Sequence, residues 1–405
     1  MKNSQQSSKK TLLSYMKLRM PAKYDFLLHL FVLILVLFGS LMVFSASQAS
    51  ATENVLSVVI ACVKQVAFVI FSYIMMVSFA NYFTMQRAKQ YGNVIGFCFI
   101  ALLAMTFLFD DMGTGSQAWI RIPLVITDIS IQPSEFVKVF MIVIMAVNVE
   151  RFFQKKVTWW MIVKYPVIFY AVFALLIAKQ PDFGTLAILT AICGLCFLIP
   201  SHPTLRKYQK WLAWLIVIAV VFVLLLTSKF GSSLLKHIPM LDYMVGRFEA
   251  SMNPFQDIYG TGYQLVNGLY AIANGGLGGL GFTHSTQKFG YLTQASSDYI
   301  FAITSEELGI IGLFIIVLGY GIVIYRLVYY ALRTRSEGYK IILMGTAFYI
   351  LLHFILNIGG VTGLIPLTGV PLLFISSGGS SLMSVMSAIG IAQAVISRIR
   401  RQSQT

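Results

Sequence analysis

The residues best suited to chemistry lie where polar loops run into long apolar stretches. The clearest case is Ser285-Thr-Gln-Lys288, followed by Asp298-Tyr-Ile-Phe-Ala302 and Glu306-Glu-Leu-Gly309. A glycine-punctuated loop ends there at one aspartate, and an apolar helix begins at once. At about 100° per residue, Glu306 falls roughly 80° round that helix from Asp298 and Glu307 on its opposite face. A carboxylate at the mouth of a membrane helix, with two more about 12–14 Å below it, is costly unless it has work or partners. An N-cap accounts for Asp298 without chemistry, and pairing inside a bundle accounts for Glu306 and Glu307 as structural supports.

Four other stretches offer polar groups to the same surface. Trp119 and Arg121 provide an aromatic face and a cation, suited to a sugar diphosphate or to an interfacial anchor. In Gln132-Pro-Ser-Glu-Phe-Val-Lys138, Pro133 fits the first turn of a helix. Ser134 follows it, and Glu135 and Lys138 are i,i+3 neighbours that can neutralise each other or meet a ligand together. Gln180-Pro-Asp182-Phe-Gly-Thr185 reads as a short turn whose Asp182 and Thr185 cap the next helix. The stretch from Asn357 to Ser381 is apolar yet broken by proline and glycine, and its Ser380 and Ser381 can donate hydrogen bonds to a cavity.

These elements must be positioned within a membrane. Of 405 residues, 58% are apolar and 11% charged, a balance foreign to soluble domains. The fold class is an all-α integral membrane protein. Ten spans are expected, near 26–44, 55–80, 94–109, 133–149, 161–178, 184–200, 211–227, 299–325, 341–358 and 382–397. The net charge of +15 belongs mainly to topology. Lys23, Arg87, Lys89, Arg151, Arg206, Arg333, Lys340, Arg398 and Arg401 all fall in alternate loops, which places both termini in the cytoplasm by the positive-inside rule. Anionic lipid headgroups, rather than nucleic acid, are the expected partners of that charge. Residues 1–23 form a basic tail, 24–397 one membrane domain and 398–405 a second short tail.

The longest non-spanning segment is the outer loop of 228–298, between the seventh and eighth spans. Its Gly262–Ala273 portion reads as a short amphipathic or re-entrant helix. The glycines that follow, from Gly275 to Gly281, either let backbones pack closely or expose N–H groups to an anion. Arg247 and Lys288 flank them as candidate phosphate cations. Lys64, inside the second span, has no partner legible in sequence and reads as snorkelling to the surface. The four cysteines lie in apolar helix and carry no redox signal. Ser45-Ala-Ser47 imitates a cleavage site, but the apolar run before it suits a retained first helix.

Taken together, the Gln132–Lys138, Gln180–Thr185, Gly262–Gln264, Asp298–Gly309 and Gly378–Ser381 stretches resemble the SEDS proteins of cell shape, elongation, division and sporulation, a family typified by FtsW and RodA. The resemblance covers the chain beyond its N-terminal tail, and the Ser285–Lys288 wording leans to the FtsW branch. It implies a ten-span fold and polymerisation of lipid II, the undecaprenyl-diphosphate-linked precursor of peptidoglycan, beside a class B penicillin-binding protein and other divisome or elongasome membrane proteins. It also implies a catalytic aspartate at Asp298. Thr293-Gln294 stands where the family has Pro-Glu; Ser297, Leu373, Ser377 and Ala118 also depart from its pattern.

On this reading Asp298 is the general base of an inverting glycosyltransferase. Trp119, Arg121, Lys138, Arg247, Lys288, Ser380 and Ser381 bind substrate, and Gln132, Pro133, Ser134, Glu135, Glu306 and Glu307 support the site. No cofactor is implied with certainty, and a divalent magnesium or manganese ion is left open as a further partner for the diphosphate. Two alternatives stand beside it: a lipid flippase or transporter, which broken helices and intramembrane charges would also suit, and a catalytically reduced scaffold for the penicillin-binding partner.

Overall fold

A computed structural model describes residues 19–48, 55–109, 116–123, 129–153, 155–226 and 251–402. Arg247 therefore lies outside the described residues. Ten helices of at least 16 residues occur among those described: α1 (Phe26–Ser47), α2 (Val55–Tyr82), α3 (Met85–Met105), α4 (Pro133–Phe152), α5 (Trp159–Lys179), α6 (Phe183–Leu198), α7 (Arg206–Leu226), α9 (Ile300–Arg333), α10 (Glu337–Val361) and α11 (Gly379–Gln402). A shorter helix, α8 (Tyr263–Gly275), sits between α7 and α9, where the sequence predicts a non-spanning helix. Among the described residues, seven helices are long and apolar enough to cross a membrane: α1, α2, the α3 segment, α5, α9, α10 and α11. The protein is a multi-pass membrane protein.

Two features differ from the sequence expectation. The fold is not wholly helical: β1 (Ile120–Ile122) and β2 (Ile129–Ile131) form an antiparallel ladder in which Arg121 faces Ser130. Three-residue strands carry too little periodicity to be seen in sequence. Helix α3 also begins nine residues before the predicted span at 94, because Thr84 caps it, accepting from Arg87 N at 3.0 Å, and its first turns are polar. Hydropathy finds the apolar part of a helix, not its ends.

The interior is built on α4, α10 and α11. Helix α11 packs along α2 and is almost wholly buried, while α2 and α3 leave most of their apolar surface outward. The buried face of α11 carries Ser380, Ser381, Ser384, Ser387, Gln393 and Ser397, since small and polar residues let membrane helices approach and bond. At one end Asp25 caps α1, accepting from Leu28 N at 2.8 Å, and also accepts from Arg326 and from Tyr330 at 2.8 Å. Burial raises the Asp25 pKa, but those bonds outweigh it and hold the carboxyl below its ordinary range. Gln393 bonds both the N–H and the carbonyl of Asp25, at 2.8 and 2.9 Å, so α1, α9 and α11 are tied together there.

At the opposite end, the glycine-rich turn after α8 lies backbone to backbone against α9. Helix α9 is broken at Gly309, with φ 58° and ψ −145°, which frees the carbonyls of Glu306 and Glu307. Leu280 N and Gly281 N donate to those two carbonyls at 2.9 Å each, and Ile310 N donates to Leu277 O at 3.2 Å. A Cβ at Gly275 would stand 1.9 Å from Ser305 O, and one at Gly279 would stand 2.3 Å from Glu307 O. Of the two uses open to these glycines, the structure takes close packing.

This contact predicts a sharp contrast between neighbours. Gly275→Ala should destabilise the protein by about 1–3 kcal/mol through overpacking. Gly278→Ala, whose Cβ would meet nothing within 4 Å, should be near neutral. Thermal unfolding of the two purified variants in detergent checks the pair, and equal midpoints would contradict the packing.

Candidate active site

A cavity of about 710 Å³ opens at the end of the bundle away from Asp25. Its walls come from α2, the segment before β1, the start of α4, the α5–α6 turn, the loop before α9 and the broken stretch before α11. Asp298, Trp119, Gln132, Glu135, Lys138, Asp182, Thr185 and Ser381 all line it, which brings together the motifs that sequence reading singled out. Lys64 and His353 line it as well.

Gln132 is where three of those motifs meet. Its side-chain amide donates to Asp182 Oδ2 at 2.8 Å, and its backbone N–H donates to Ser380 Oγ at 2.9 Å. Asp182 in turn caps α6, accepting from Thr185 N at 3.1 Å. Ser380 therefore holds the wall together rather than facing the cavity, while Ser381 lines it and donates to Gly378 O at 2.8 Å. Pro133 opens α4 in its first turn, as expected, and Ser134 is buried beneath the site.

Three buried ionisable residues of the cavity form one chain. Lys138 Nζ lies 2.7 Å from Glu135 Oε1 and 3.0 Å from His353 Nε2, and all three residues are buried. His353 Nδ1 is 3.1 Å from Pro371 O, which can only accept. The proton therefore sits on Nδ1, and neutral Nε2 accepts from the ammonium. Tyr349 donates to Glu135 Oε2 at 3.1 Å. Two of the three Lys138 N–H groups are thus committed, and the pair expected at i,i+3 is present. Nothing in sequence linked His353 to it: a single histidine in an apolar helix, 215 positions from Lys138, has no local partner.

Asp298 is half-buried at the cavity wall. The cap expected of it falls elsewhere, because α9 starts at Ile300 and its N-cap is Tyr299. Its backbone carbonyl accepts from Asn357 Nδ2 at 2.9 Å, and the same amide donates to Val370 O at 2.9 Å. Ser376 Oγ donates to Ser297 O at 2.7 Å, and Ser377 N to Ser296 O at 3.0 Å. Gln294 accepts from Ser297 Oγ at 2.8 Å, and Thr293 accepts from Gln264 at 2.7 Å. Two departures from the family pattern, Gln294 and Ser297, thus bond each other beside the aspartate, while Thr293 and Ser377 bond Gln264 and Ser296. Leu373 and Ala118 are simply buried.

Two expected cations stand apart. Lys288 is withdrawn from the substrate-binding set: its ammonium is buried against Glu307 at 2.9 Å and also donates to Ser45 Oγ at 3.0 Å and Thr283 O at 2.8 Å. A lysine in an outer loop looks solvated in sequence, but here the loop folds inward. Arg121 lies on β1 and is not among the lining residues, and its buried Nε has no hydrogen-bond partner among the described residues. Lys64, by contrast, lines the cavity and supplies a cation where sequence suggested only a snorkelling chain. Among the described residues no cluster of three or more His, Cys, Asp or Glu could hold a metal ion.

Glu306 and Glu307, both fully buried, anchor the loop that leads to Asp298. Glu306 accepts from Ser285 Oγ, from Thr286 Oγ1 at 2.8 Å and from Gln287 N at 3.3 Å. Glu307 accepts from Ser45 Oγ at 2.6 Å and Thr283 N at 3.0 Å in addition to Lys288. Ser45, in the stretch that imitates a cleavage site, is part of the bundle.

The fold is thus a multi-pass helical membrane bundle with a polar cavity, lined by charged side chains and walled by broken helix, at one end. The cell cycle protein model for FtsW, RodA and SpoVE matches residues 25–403, and the chain belongs to that family. It is 31% identical over 381 residues to the probable peptidoglycan glycosyltransferase FtsW of Bacillus subtilis, covering 92% of this chain and 90% of the relative. It is 33% identical over 371 residues to the stage V sporulation protein E of the same organism, covering 91% and 95%. The fold matches the rod shape determining protein RodA of Thermus thermophilus with a TM-score of 0.58 at 18% identity, over 93% of this chain and 97% of that one. A chain from a peptidoglycan synthase complex that coordinates polymerization and crosslinking matches with a TM-score of 0.67 at 19% identity, over 94% and 100%.

Removing one member of a buried ion pair leaves an uncompensated charge and costs about 3–5 kcal/mol. Glu307→Gln should therefore lower the unfolding midpoint and the monodisperse yield, and adding Lys288→Met to it should recover part of the loss. Size-exclusion profiles and thermal scans of the two variants check this. Glu306→Gln should likewise act on folding; a well-folded variant wholly without activity would contradict the structural role.

Proposed function

We propose that the protein is a peptidoglycan glycosyltransferase that polymerises lipid II, with Asp298 as its general base. The observation that carries this reading is the meeting of Asp298 with Lys64, Lys138 and the Gln132–Asp182–Ser380 junction around one cavity, in a chain of the FtsW, RodA and SpoVE family. The Asp298 end faces outward and both termini lie in the cytoplasm, a placement supported by the arginines and lysines that follow or precede the helices at the Asp25 end. The described helices are then ten spans, with α8 and its flanking turns in the outer loop.

The acceptor sugar's 4-hydroxyl gives its proton to the Asp298 carboxylate as its oxygen attacks the donor anomeric carbon. The bond from that carbon to the diphosphate breaks on the opposite side, so the configuration inverts and undecaprenyl diphosphate leaves with the electron pair. General base catalysis contributes roughly 10²–10⁴-fold, and positioning and charge stabilisation supply the remainder. Lys138 and Lys64 are the lining cations suited to the leaving diphosphate, and Trp119 gives a face for a sugar ring. Neutral His353 and Glu135 fix the Lys138 ammonium, so the cation is preorganised rather than recruited. A divalent ion accompanying the diphosphate would add to that charge stabilisation, and no residue here is assigned to hold one. A class B penicillin-binding protein, which the family resemblance implies as partner, is in keeping with a structural neighbour that belongs to a peptidoglycan synthase complex coordinating polymerization and crosslinking.

Asp298→Asn separates chemistry from architecture, because the backbone bonds at 298 and the N-cap at Tyr299 do not need a charge. The variant should keep its unfolding midpoint, its partner and lipid II binding, while polymerisation falls by about 10²-fold or more. Purified wild type and variant, each with the partner in detergent, are compared by gel separation of radiolabelled glycan. Strands made by the variant at near wild-type rate would sink the assignment, and an absence of polymer from the wild type would favour pure transport.

A further inference from the structure

Two ties between α1 and α9 mark where the membrane begins and ends along the bundle. Asp25, at the start of α1, pairs with Arg326, and Ser45, near the other end of α1, donates to Glu307 at 2.6 Å. From residue 25 to residue 45 is about 30 Å of helix, the thickness of a hydrocarbon core. Glu307 therefore stands at the level where the hydrocarbon ends on the cavity side. The glycine-rich turn after α8 meets α9 at that level, through Leu280 N on Glu306 O, Gly281 N on Glu307 O and Ile310 N on Leu277 O.

The turn carries the side chains of a membrane element. From 272 to 283 the chain holds no lysine, arginine, histidine, aspartate or glutamate. Leu277 is 77% exposed, and Leu280 and Phe282 are exposed with it. Ile310, Ile311 and Phe314 are exposed next to them on α9, a helix apolar enough to cross a membrane. The apolar surface of the turn thus continues the lipid-facing surface of α9, and an apolar patch of this kind marks contact with a membrane or another protein. The backbone is bonded as a membrane setting requires, since irregular backbone at that depth is tolerated where protein satisfies it. Besides its three bonds with α9, Gly279 N donates to Gly275 O at 2.7 Å and His284 N to Gly281 O at 3.0 Å. In water those groups would need no such partners.

We propose that the 276–282 turn is a membrane foot, whose Leu277, Leu280 and Phe282 side chains enter the acyl chains of the leaflet on the Asp298 side. The loop rising from the foot is bonded to Glu307 and Glu306 through Thr283 and Thr286 and ends at Asp298, about 12–14 Å further along α9 from the hydrocarbon. A headgroup layer is about 5–8 Å deep, so the carboxylate stands beyond the lipid phosphates, at the height of the first sugar on a lipid diphosphate. Foot and buried glutamates together set that height. This consequence rests on the glycosyltransferase reading; the contact with lipid does not.

The test uses the full chain, alone and with its partner, in phosphatidylethanolamine–phosphatidylglycerol vesicles. The four cysteines are replaced by alanine and a nitroxide is placed at Leu277→Cys or Leu280→Cys, with Ile311→Cys and Tyr259→Cys as lipid and water references. Collision with oxygen relative to a nickel chelate should be several-fold higher at 277 and 280 than at 259, and close to that at 311. A water-like ratio at both positions overturns the foot. Shielding from both relaxants that arises only with the partner also overturns it, because it assigns the face to a protein contact. Benzoylphenylalanine in place of Leu277, in the chain with its own cysteines, gives a second measurement: a crosslink to acyl chain supports the foot, and one to the partner alone overturns it. For the consequence at Asp298, Leu277→Asp with Leu280→Asp should slow lipid II consumption about tenfold or more through misplacement of the loop. Leu277→Met with Leu280→Met should stay within about twofold of wild type. Unchanged consumption in the aspartate pair overturns the height-setting role. If the wild type makes no polymer, the glycosyltransferase reading fails, and the collision ratios still decide the foot.

Discussion

The end of the molecule that carries the cavity depends on two fully buried carboxylates. Glu306 and Glu307 sit in helix α9 where no water can solvate them, so each must find donors from the protein. They find them in the loop 283–288 and in Ser45 of α1. The need to satisfy these charges pulls a polar loop down onto the bundle. The break at Gly309 adds two backbone carbonyls to the same task, and glycines at 275 and 279 remove the side chains that would hold the two backbones apart. Everything between α8 and α9 is positioned by this anchor, including the turn that ends at Asp298.

The cavity follows from a second constraint of the same kind. Irregular backbone inside a membrane protein has to be bonded by its neighbours. Here the broken stretch before α11 is held by Asn357, Ser376 and Ser377 to the loop before α9, and by Ser380 to Gln132. The bonds that keep the stretch from unravelling also set the walls of the site. Substitutions that depart from the family pattern at Gln294, Ser297 and Ser377 fall within this net and keep it closed with uncharged groups. Asp298 thereby shares its immediate loop with amides and hydroxyls, and its charged company comes from α2, α4 and α6.

Sequence by itself determined much of this protein. The membrane class came from composition, and the long helices from apolar runs. The short helix after Gly262, the Glu135–Lys138 pair and the Asp182 cap were legible because each is local, within a turn or two of chain. So was the family, because its motifs are contiguous strings. Tertiary structure decided what local pattern cannot hold. Lys288 turned from a solvated cation into the buried partner of Glu307, and Lys64 from a snorkelling chain into part of the cavity. His353 joined Lys138 across 215 positions, and Gln132 became the junction of three motifs. The physical reason is common to all four: in a low-dielectric interior a polar side chain takes whichever partner the packing of distant helices brings within 3 Å or so, and that distance is set by the fold, not by neighbours in sequence.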